Sequence, residues 1–472
     1  MLTRTSTQSL TGQLADRLAE RIRTRLLPPG ARLPSVRECA RQQGVSPYTV
    51  VAASDQLLAQ GLIEARRQRG FYVRDSAPAQ ESRTPPNSAP MVMQMMASRV
   101  PADASSLIRS MFHRPSDKPQ PGMGVFPPDW MSSTFMPTAV RRMTSTAVLQ
   151  ELSLQYGEPA GDMSLRRSLS QKLVGINVPA APDQIITTIG ATHALDIVSR
   201  TLLRAGDPVM VEEPGWALEF ARLEALGMRI LPVPRRADGP DLEVMAQYCA
   251  LHQPKLFVSV SVLHNPTGYS LTPGSAHRVL KLANEYDFHI VEDDTYSHLA
   301  PEHATRLSAL DGLQRTIYVS GFAKILAPNW RIGFLAAPPA LKERLLETKL
   351  LATLTSPTLF ERALSWCIDQ GQLRRHSERV RIRLDGARGQ AVKLAMSHGC
   401  TFASEPTGLF GWVDTGVDTD ALTQRMLDQG YLLAPGSLFH ARRPPRTMMR
   451  INFATSQDAT FWKVFSKVRD EL

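Results

Sequence analysis

The feature that most constrains the fold is a repeated pattern of short apolar runs, each of which ends in a polar loop. Three runs lie at residues 255–263, 288–292 and 317–319, and two more precede them at 184–189 and 208–212. Helix-like segments separate the runs, and strand followed by helix predicts an α/β fold with a mainly parallel sheet. Loops at the carboxyl ends of such strands converge on one crevice. We therefore expect the polar side chains of these loops to share one site.

The loops carry groups of complementary chemistry. Asn265 follows the first of the three central runs, Asp293 and Tyr296 follow the second, and Lys324 and Arg331 follow the third. A lysine that condenses with an aldehyde, an acid for a ring nitrogen and a cation for a phosphate are the groups that hold pyridoxal 5′-phosphate (PLP). A lone lysine more often lies on a solvated surface, but this order and spacing predict a PLP site.

These motifs also carry a family resemblance. Asn-Pro-x-Gly from Asn265, Asp-x-x-Tyr from Asp293, and Lys324 with an arginine seven residues later resemble the signature of fold-type I aminotransferases, from about Met91 to the C-terminus. The resemblance implies the α/β fold of PLP-dependent transferases of fold type I, a mainly parallel sheet with a smaller C-terminal α+β subdomain. It makes Lys324 the catalytic lysine and PLP the cofactor.

Further site residues are predicted from helix position and from the resemblance. Gly190, Ala191 and Thr192 precede a helix, whose N–H groups would bind the cofactor phosphate. The resemblance implies that Trp216 stacks on the cofactor, and a core tryptophan is the alternative. It also adds Ser320 to the cofactor contacts.

The resemblance implies that two residues bind something other than the cofactor of their own chain. Tyr156 matches a tyrosine that reaches the phosphate in the partner subunit, which implies a homodimer. Arg450 matches the arginine that binds the α-carboxylate of a substrate or effector, and a structural salt bridge is the alternative. Gly321, Ala323 and Ala191 depart from the family, because hydroxyl residues that touch the phosphate are common there.

The first 75 residues have a different composition. They hold twelve Arg, no Lys and six Asp or Glu, a net charge of +6, whereas the remaining residues have a net charge of +4. Leucine or isoleucine every four residues over 10–26 predicts an amphipathic helix. Ser35 with Glu38 predicts the capped start of a second helix, and Ser46-Pro47 predicts the start of a third. A basic hairpin is predicted to follow, which gives a winged helix-turn-helix and a DNA partner.

This stretch resembles the GntR family of winged-helix regulators in Leu33-Pro34-Ser35-x-Arg37 and in Gly44-Val45-Ser46-x-x-Thr49-Val50. The resemblance implies that Arg37 and Thr49 approach operator DNA, although Pro47 stands where the family often has arginine. With the third-helix start and the basic hairpin, the predicted DNA-binding residues are Arg37, Ser46, Tyr48, Thr49, Arg66, Arg67, Arg69 and Gly70.

The predicted domain organisation follows from these patterns. Residues 1–75 form the DNA-binding domain, and the Pro- and Ser-rich residues 76–90 form a flexible linker. Residues 91–472 form the aminotransferase-like domain, with a large subdomain at about 121–340 and a small one at about 341–472. A Met-rich helix is predicted at 91–112.

A winged helix fused to an aminotransferase-like domain is typical of the MocR-type subfamily of GntR regulators, which the whole chain resembles. The first hypothesis is a transcriptional regulator that senses PLP or its adduct with an amine or amino acid. The alternatives are an active aminotransferase with an accessory DNA-binding domain and a scaffold without cofactor chemistry. The four scattered cysteines, the lack of a signal sequence and the lack of a membrane-length apolar run predict a cytoplasmic protein.

Overall fold

The structure is a computed structural model that describes residues 9–23, 27–66, 70–74, 117–133, 135–326, 328–441 and 447–472. The chain divides into two compact units at Arg114–Pro115. The predicted linker and the predicted helix at 91–112 lie outside the described residues and stay predictions. Within the described ranges, no helix has both the length and the apolar character needed to cross a bilayer.

The N-terminal unit is a three-helix module followed by a hairpin. Its elements are α1 (Leu10–Arg23), α2 (Val36–Gln43), α3 (Pro47–Ala59), β1 (Ile63–Arg66) and β2 (Gly70–Val73). The two strands pair antiparallel, from Ile63 opposite Val73 to Arg66 opposite Gly70. The predicted helix-turn-helix with a hairpin is thereby confirmed.

Local sequence explains where these helices begin and end. The Ser35 hydroxyl accepts the Glu38 N–H at 3.3 Å and starts α2, which ends at Gly44 in the left-handed region with φ of 64°. The Ser46 hydroxyl accepts the Thr49 N–H at 3.1 Å and starts α3. Each cap satisfies a backbone donor that the helix leaves free.

The second unit alternates strands and helices before it becomes mainly helical. Its elements in chain order are α4 (Pro128–Met131), α5 (Phe135–Met143), α6 (Thr146–Ser153), α7 (Met163–Val174), β3 (Ile185–Thr188), α8 (Ala191–Leu202), β4 (Pro208–Glu213), α9 (Ala217–Ala225), β5 (Arg229–Pro234), α10 (Leu242–His252), β6 (Leu256–Ser259), α11 (Pro273–Glu285), β7 (His289–Asp293), α12 (Leu307–Asp311), β8 (Thr316–Gly321), β9 (Gly333–Ala336), α13 (Lys342–Thr353), α14 (Thr358–Asp369), α15 (Gln372–Ser397), β10 (Thr401–Phe402), β11 (Phe410–Asp414), α16 (Thr419–Asp428), β12 (Ala434–Pro435), β13 (Met448–Asn452) and α17 (Ala459–Arg469).

The larger sheet has seven strands in the order β3-β9-β8-β7-β6-β4-β5. Strand β9 runs antiparallel to both of its neighbours, and the pairs from β8 through β5 are parallel. Strands β3, β6, β8 and β9 of this sheet are buried throughout, whereas the edge strand β5 is partly exposed. The predicted mainly parallel α/β fold is confirmed.

One predicted strand is shorter than its apolar run. The run at 255–263 forms a strand only to Ser259. The next backbone N–H, that of Val260, donates at 2.8 Å to the Glu212 carboxylate rather than to a neighbouring strand. The apolar residues beyond it are buried in the loop, so apolarity alone predicted a strand that is too long.

The smaller sheet has four antiparallel strands in the order β10-β11-β13-β12 and belongs to the C-terminal half of the unit. The start of the unit is attached to this sheet as well. The Gly122 N–H donates to the Leu432 carbonyl at 2.8 Å, and the Asn452 N–H donates to the Pro121 carbonyl at 2.9 Å. The start of the described part of the second unit therefore lies against the C-terminal subdomain.

Candidate functional site

Lys324 lies in the loop after β8, at the carboxyl edge of the large sheet. Its Nζ donates to the Gly124 carbonyl at 2.7 Å. Burial, followed by the positive charge of Arg450, lowers the pKa of Lys324 to about 8, although the Asp293 carboxylate opposes the shift. A lowered pKa increases the fraction of free amine near neutral pH, which is the form that attacks a carbonyl carbon.

Asp293 is the last residue of β7 and belongs to the same site. Its Oδ1 accepts the N–H of Thr295 at 3.1 Å and the Thr295 hydroxyl at 2.5 Å. Burial raises the pKa of Asp293 to about 6, and the two bonds from Thr295 act against that rise. Because burial makes the charged form of Asp293 costly, a cationic partner such as a protonated ring nitrogen would stabilise that form.

Arg450 is the buried cation of the site, at 1% exposure. Nη1 donates to Asn265 Oδ1 at 3.0 Å and Nη2 donates to the Gly122 carbonyl at 2.6 Å, while Nε has no partner among the described residues. The guanidinium lies 4.4 Å from the Phe410 ring centroid. Burial lowers the pKa of Arg450 to about 10.

No carboxylate of the described chain forms an ion pair with Arg450, which removes the support for a structural salt bridge at this position. A buried guanidinium without a counter-ion carries a desolvation cost that a bound carboxylate would offset. The arrangement therefore suits a ligand that brings its own carboxylate.

Tyr296 closes the site beside Asn265. The ring is buried and meets Phe410 edge to face at 5.6 Å. Burial raises the pKa of Tyr296, while the nearby Arg450 charge and a hydrogen bond with Asn265 oppose the rise. The phenol therefore stays protonated at neutral pH and can donate a hydrogen bond to an oxygen of a ligand.

Gly190 and Arg331 form the predicted anion-binding end. Gly190 has φ of 80° and precedes α8, and the Arg331 Nη2 donates to the Ile189 carbonyl at 3.0 Å. A Cβ on Gly190 would lie 2.8 Å from Arg331 Nη2, so the guanidinium packs directly on the start of the helix. Ala191 is half-buried and Thr192 is exposed, so the first turn of α8 faces partly into solvent. Free N–H groups and an arginine fork at one helix start suit a phosphate.

Glycines in two neighbouring strands permit this arrangement. A Cβ on Gly333 would lie 2.4 Å from the Gly190 carbonyl carbon, and one on Gly321 would lie 3.2 Å from the Ala191 nitrogen. A larger residue at Gly321 would crowd the start of α8. This close approach is a structural reason for one of the missing hydroxyls.

The remaining predicted cofactor residues are not all brought together. The Ser320 hydroxyl donates to the Asp294 carbonyl at 2.9 Å and is buried there, so it does not join the anion-binding end. Trp216 is half-buried, 5.7 Å from the Arg450 guanidinium, which places it at the edge of the site rather than in a sealed core. Tyr156 is 84% exposed and does not pack into the site of its own chain.

The N-terminal unit presents the predicted DNA-binding residues unevenly. Arg37 is exposed, and Tyr48 is 81% exposed at the start of α3. The hydroxyls of Ser46 and Thr49 are 2.8 Å apart, so both serve the helix cap as well as the surface. This surface carries a helix start and an arginine, as major-groove and phosphate contacts require.

Of the predicted hairpin residues, Arg66 and Gly70 are described, and both are exposed. Arg66 is paired with Glu64 at 2.8 Å and lies 4.3 Å from the Tyr72 ring centroid. Gly70 has φ of 95°, a conformation that glycine adopts readily. Arg67 and Arg69 lie outside the described residues, so their predicted role stays a prediction.

Comparison with known proteins decides the family. The model of aminotransferase class I and II matches residues 124–467, which is most of the chain, and the model of bacterial regulatory proteins of the gntR family matches residues 10–73. The chain belongs to the class I and II aminotransferases. With its GntR helix-turn-helix domain, it has the MocR-type architecture that the sequence predicted.

Proteins named as regulators match most of this chain. The chain is 28% identical over 452 residues to the uncharacterized HTH-type transcriptional regulator YdcR of Escherichia coli K12, which covers 94% of each protein. It is 29% identical over 375 residues to the probable rhizopine catabolism regulatory protein MocR of Rhizobium meliloti, covering 78% of this chain and 73% of that protein.

Solved structures confirm the aminotransferase fold. The crystal structure of Pyrococcus horikoshii kynurenine aminotransferase, in complex with PMP, matches with a TM-score of 0.70 and 25% identity, covering 77% of this chain and 94% of that chain. The family and its cofactor-bound structural relatives support PLP as the cofactor of this MocR-type chain. Lys324, Asp293 and the helix start at Gly190 have the donor chemistry that PLP requires.

Sequence reasoning missed three parts of this aminotransferase site. Gly124 meets the Lys324 amine, Phe410 lies under Arg450, and Asn452 donates from Nδ2 to the Met123 and Val125 carbonyls at 2.8 and 2.7 Å. A signal for the first was present, since Gly122 and Gly124 flank one residue, and paired glycines often mark a close backbone approach. Asn452 offered no such signal.

Proposed function

We propose that this chain is a PLP-binding transcriptional regulator. It binds operator DNA through the N-terminal winged helix and senses PLP, or its adduct with an amine or amino acid, through the aminotransferase-like unit. The observation that carries the proposal is the buried guanidinium of Arg450, which has no carboxylate partner among the described residues and lies in the same pocket as Lys324. The chain also presents Arg37 and Tyr48 on a helix-turn-helix. One polypeptide chain thus combines a binding site for a carboxylate-bearing ligand with a DNA-binding domain.

In this proposal each residue has one task in holding PLP. Lys324 anchors the aldehyde, Asp293 pairs with the ring nitrogen, and Asn265 with Tyr296 holds the phenolic oxygen. Arg331 and the start of α8 at Gly190 bind the phosphate. When bound, the cofactor supplies an electron-accepting ring and an aldehyde that condenses with amino groups.

Arg450 would then select ligands by their carboxylate. Its open Nε and its two remaining N–H groups can form a bidentate pair, which fixes both position and orientation. Phe410 and Phe439 lie under the guanidinium, at 4.4 and 5.1 Å from its carbon, and hold the arginine in place. An amino acid therefore fits this site better than an amine without a carboxylate.

We also propose that the regulator acts as a homodimer in the cytoplasm. Tyr156, at 84% exposure, and three leucines on its own and a second segment are exposed: Leu154 at 80%, Leu351 at 92% and Leu354 at 54%. The two segments that carry them meet, since Lys349 Nζ donates to the Pro159 carbonyl at 2.6 Å. An apolar surface of this kind is stabilised when a second chain covers it, and a dimer would contact two operator half-sites.

The test compares operator binding with turnover in the same preparation. Operator affinity and footprint are measured without PLP, with PLP, and with PLP plus a panel of amino acids, while keto acid formation is followed in parallel. We expect two half-sites on one DNA face and a footprint that changes with the amino acid. A footprint that is identical under all conditions would contradict the proposal.

An active aminotransferase with an accessory DNA-binding domain is the second candidate. The lowered pKa of Lys324 beside Asp293 fits this candidate as well as the first, because an enzyme and a regulator use the same amine. Rapid keto acid formation together with an unchanging footprint would select this candidate over the first.

A further inference from the structure

Residues 120–126, here named the strap, cross the candidate site before the first helix of the second unit. The strap is anchored on the C-terminal subdomain by both backbone and side-chain bonds. Gln120 Oε1 accepts the Leu432 N–H at 2.7 Å, and Gln120 Nε2 donates to the Gly430 carbonyl at 3.1 Å. Asn452 holds the strap from the other side through its N–H and its side-chain amide.

The same strap touches both cations of the ligand site. The Gly122 carbonyl accepts from Arg450 Nη2 at 2.6 Å, and the Gly124 carbonyl accepts from Lys324 Nζ at 2.7 Å. Arg450 is on β13 of the small sheet, whereas Lys324 follows β8 of the large sheet. The bond between Lys324 and Gly124 therefore joins the strap, and the subdomain that holds it, to the large subdomain.

The two glycines bring the strap into close contact on both sides. A Cβ on Gly122 would lie 2.4 Å from the Leu433 carbonyl carbon, and one on Gly124 would lie 3.6 Å from Lys324 Nζ and 3.8 Å from Arg450 Nη1. The backbone of the strap thus runs at contact distance between the backbone of Leu433 and the two cations. A change at either cation meets the strap directly.

Occupancy of the site changes the bond at Gly124. When the free Lys324 amine condenses with an aldehyde, a C=N bond replaces two N–H bonds and the C=O bond, and the two protons leave with the carbonyl oxygen as water. The Gly124 carbonyl would then lose the donor that it has in the ligand-free protein. The bonds at Gln120 and Asn452 involve no ligand-binding group and remain. Without the Lys324–Gly124 bond to the large subdomain, and with the bonds of Gln120 and Asn452 intact, the strap would move together with the C-terminal subdomain.

We propose that the strap transmits occupancy of the ligand site toward the DNA-binding unit, with Gln120 and Asn452 as positioning residues. The proposal rests on the proposed regulatory function. The strap begins three residues after the start of the described part of the second unit at residue 117, and in sequence residues 75–116 connect it to the winged helix. In this proposal the strap has two positions, one with the Lys324–Gly124 bond and one without it. A ligand shifts the balance between these positions because it removes the Lys324 donor.

The test uses the full-length protein, operator DNA and PLP itself as the probe. Gln120→Ala removes the anchor, and Gln390→Ala is the matched control, because Gln390 also donates from Nε2 to a backbone carbonyl in the C-terminal subdomain, that of Gln457 at 3.1 Å. We expect Q120A to bind PLP with the wild-type absorbance but to lose the PLP-induced change in operator affinity. Q390A should keep that change.

Lys324→Ala supplies an independent arm. Without PLP it lacks the Lys324–Gly124 bond, so its operator affinity should match that of PLP-bound wild type, and added PLP should change it little. Coupling between two sites is typically on the order of 5- to 150-fold in affinity, which is well within reach of a DNA-binding titration.

The outcomes distinguish a failure of the proposed regulatory function from a failure of the strap proposal. Wild-type affinity that does not respond to PLP or to PLP with amino acids overturns the regulatory function and the coupling with it. A responding wild type together with a Q120A that responds equally, or a K324A that behaves as PLP-free wild type, overturns the strap alone. PLP absorbance and thermal unfolding of each variant identify one that has failed to fold, and the K324A arm then decides.

Discussion

Arg450 donates a hydrogen bond from Nη1 to Oδ1 of Asn265 at 3.0 Å, although 185 residues separate the two in sequence. Asn265 comes from the loop after β6 and Arg450 from the middle of β13, so the bond joins the two sheets across the candidate site. It fixes the amide orientation of Asn265 and the plane of the guanidinium together. A ligand that occupies the site therefore meets a preorganised cation rather than a flexible one.

The lowered pKa of Lys324 predicts the pH dependence of cofactor attachment. Attachment requires the free amine, so its rate should rise with pH and reach half its maximum near pH 8, below the range of an ordinary lysine. Stopped-flow absorbance after mixing apoprotein with PLP measures it. Lys324→Ala should show no visible band, and Lys281→Ala, an exposed lysine of α11, should behave as wild type. A midpoint above pH 10 would contradict the buried placement of the amine.

Replacing Arg450 should affect carboxylate-bearing ligands selectively. Arg450→Met keeps much of the side-chain volume but removes the charge, and a lost charge-assisted hydrogen bond costs about 1.5–3 kcal/mol, or roughly 10- to 150-fold in affinity. Titration of the PLP-loaded protein with an amino acid and with the matching amine measures the difference. The amine should bind as tightly as before, and equal losses for both ligands would argue against carboxylate recognition. Arg381→Met, on the exposed face of α15, is the control.

The same substitution should shift the titration of Lys324. The Arg450 charge lowers the pKa of the lysine, so its removal should raise that pKa and move the attachment profile to higher pH. The profile is measured as for the wild type. A shift to lower pH, or none, would show that the two cations do not interact.

Gly333→Ala should destabilise the second unit and weaken phosphate binding. The added Cβ would lie 2.4 Å from the Gly190 carbonyl carbon, and overpacking of this kind costs about 1–3 kcal/mol. Urea unfolding and PLP affinity measure the two effects. Gly389→Ala in α15 has no atom within 4 Å of the new Cβ, and a helical glycine replaced by alanine should gain about 0.5–1 kcal/mol. Equal stability of the two variants would contradict the close approach of α8 to β9.

Arg37→Ala should weaken operator binding evenly across related sequences. Its exposed side chain at the second helix suits a phosphate, and loss of one phosphate contact lowers the slope of log affinity against log salt by about 1. Titrations at several salt concentrations measure the slope. Arg381→Ala, remote in sequence from the winged helix, should leave it unchanged. Altered preference at a single base pair would instead indicate a base contact.

Much of this protein is determined locally in the sequence. Ser35, Gly44 and Ser46 fix the helix starts and ends because caps depend on residues three or four positions apart. The alternation of strands and helices, and the lysine, acid and asparagine at the strand ends, follow from short motifs for the same reason. The length of β6 did not follow from the local sequence. The strand ends at Ser259, and the next N–H donates to the carboxylate of Glu212, which lies on the neighbouring strand β4.

Only the tertiary structure decided which groups meet across long separations. It turned the Ser320 hydroxyl onto the Asp294 carbonyl, left Arg450 without a carboxylate partner among the described residues, and placed Gly122 and Gly124 against the two cations. These contacts join the two sheets and depend on how the chain packs in three dimensions, where residues hundreds of positions apart become neighbours. The sequence by itself determined the chemical groups and their local placement. Packing decided which of these groups interact through charge or through a hydrogen bond.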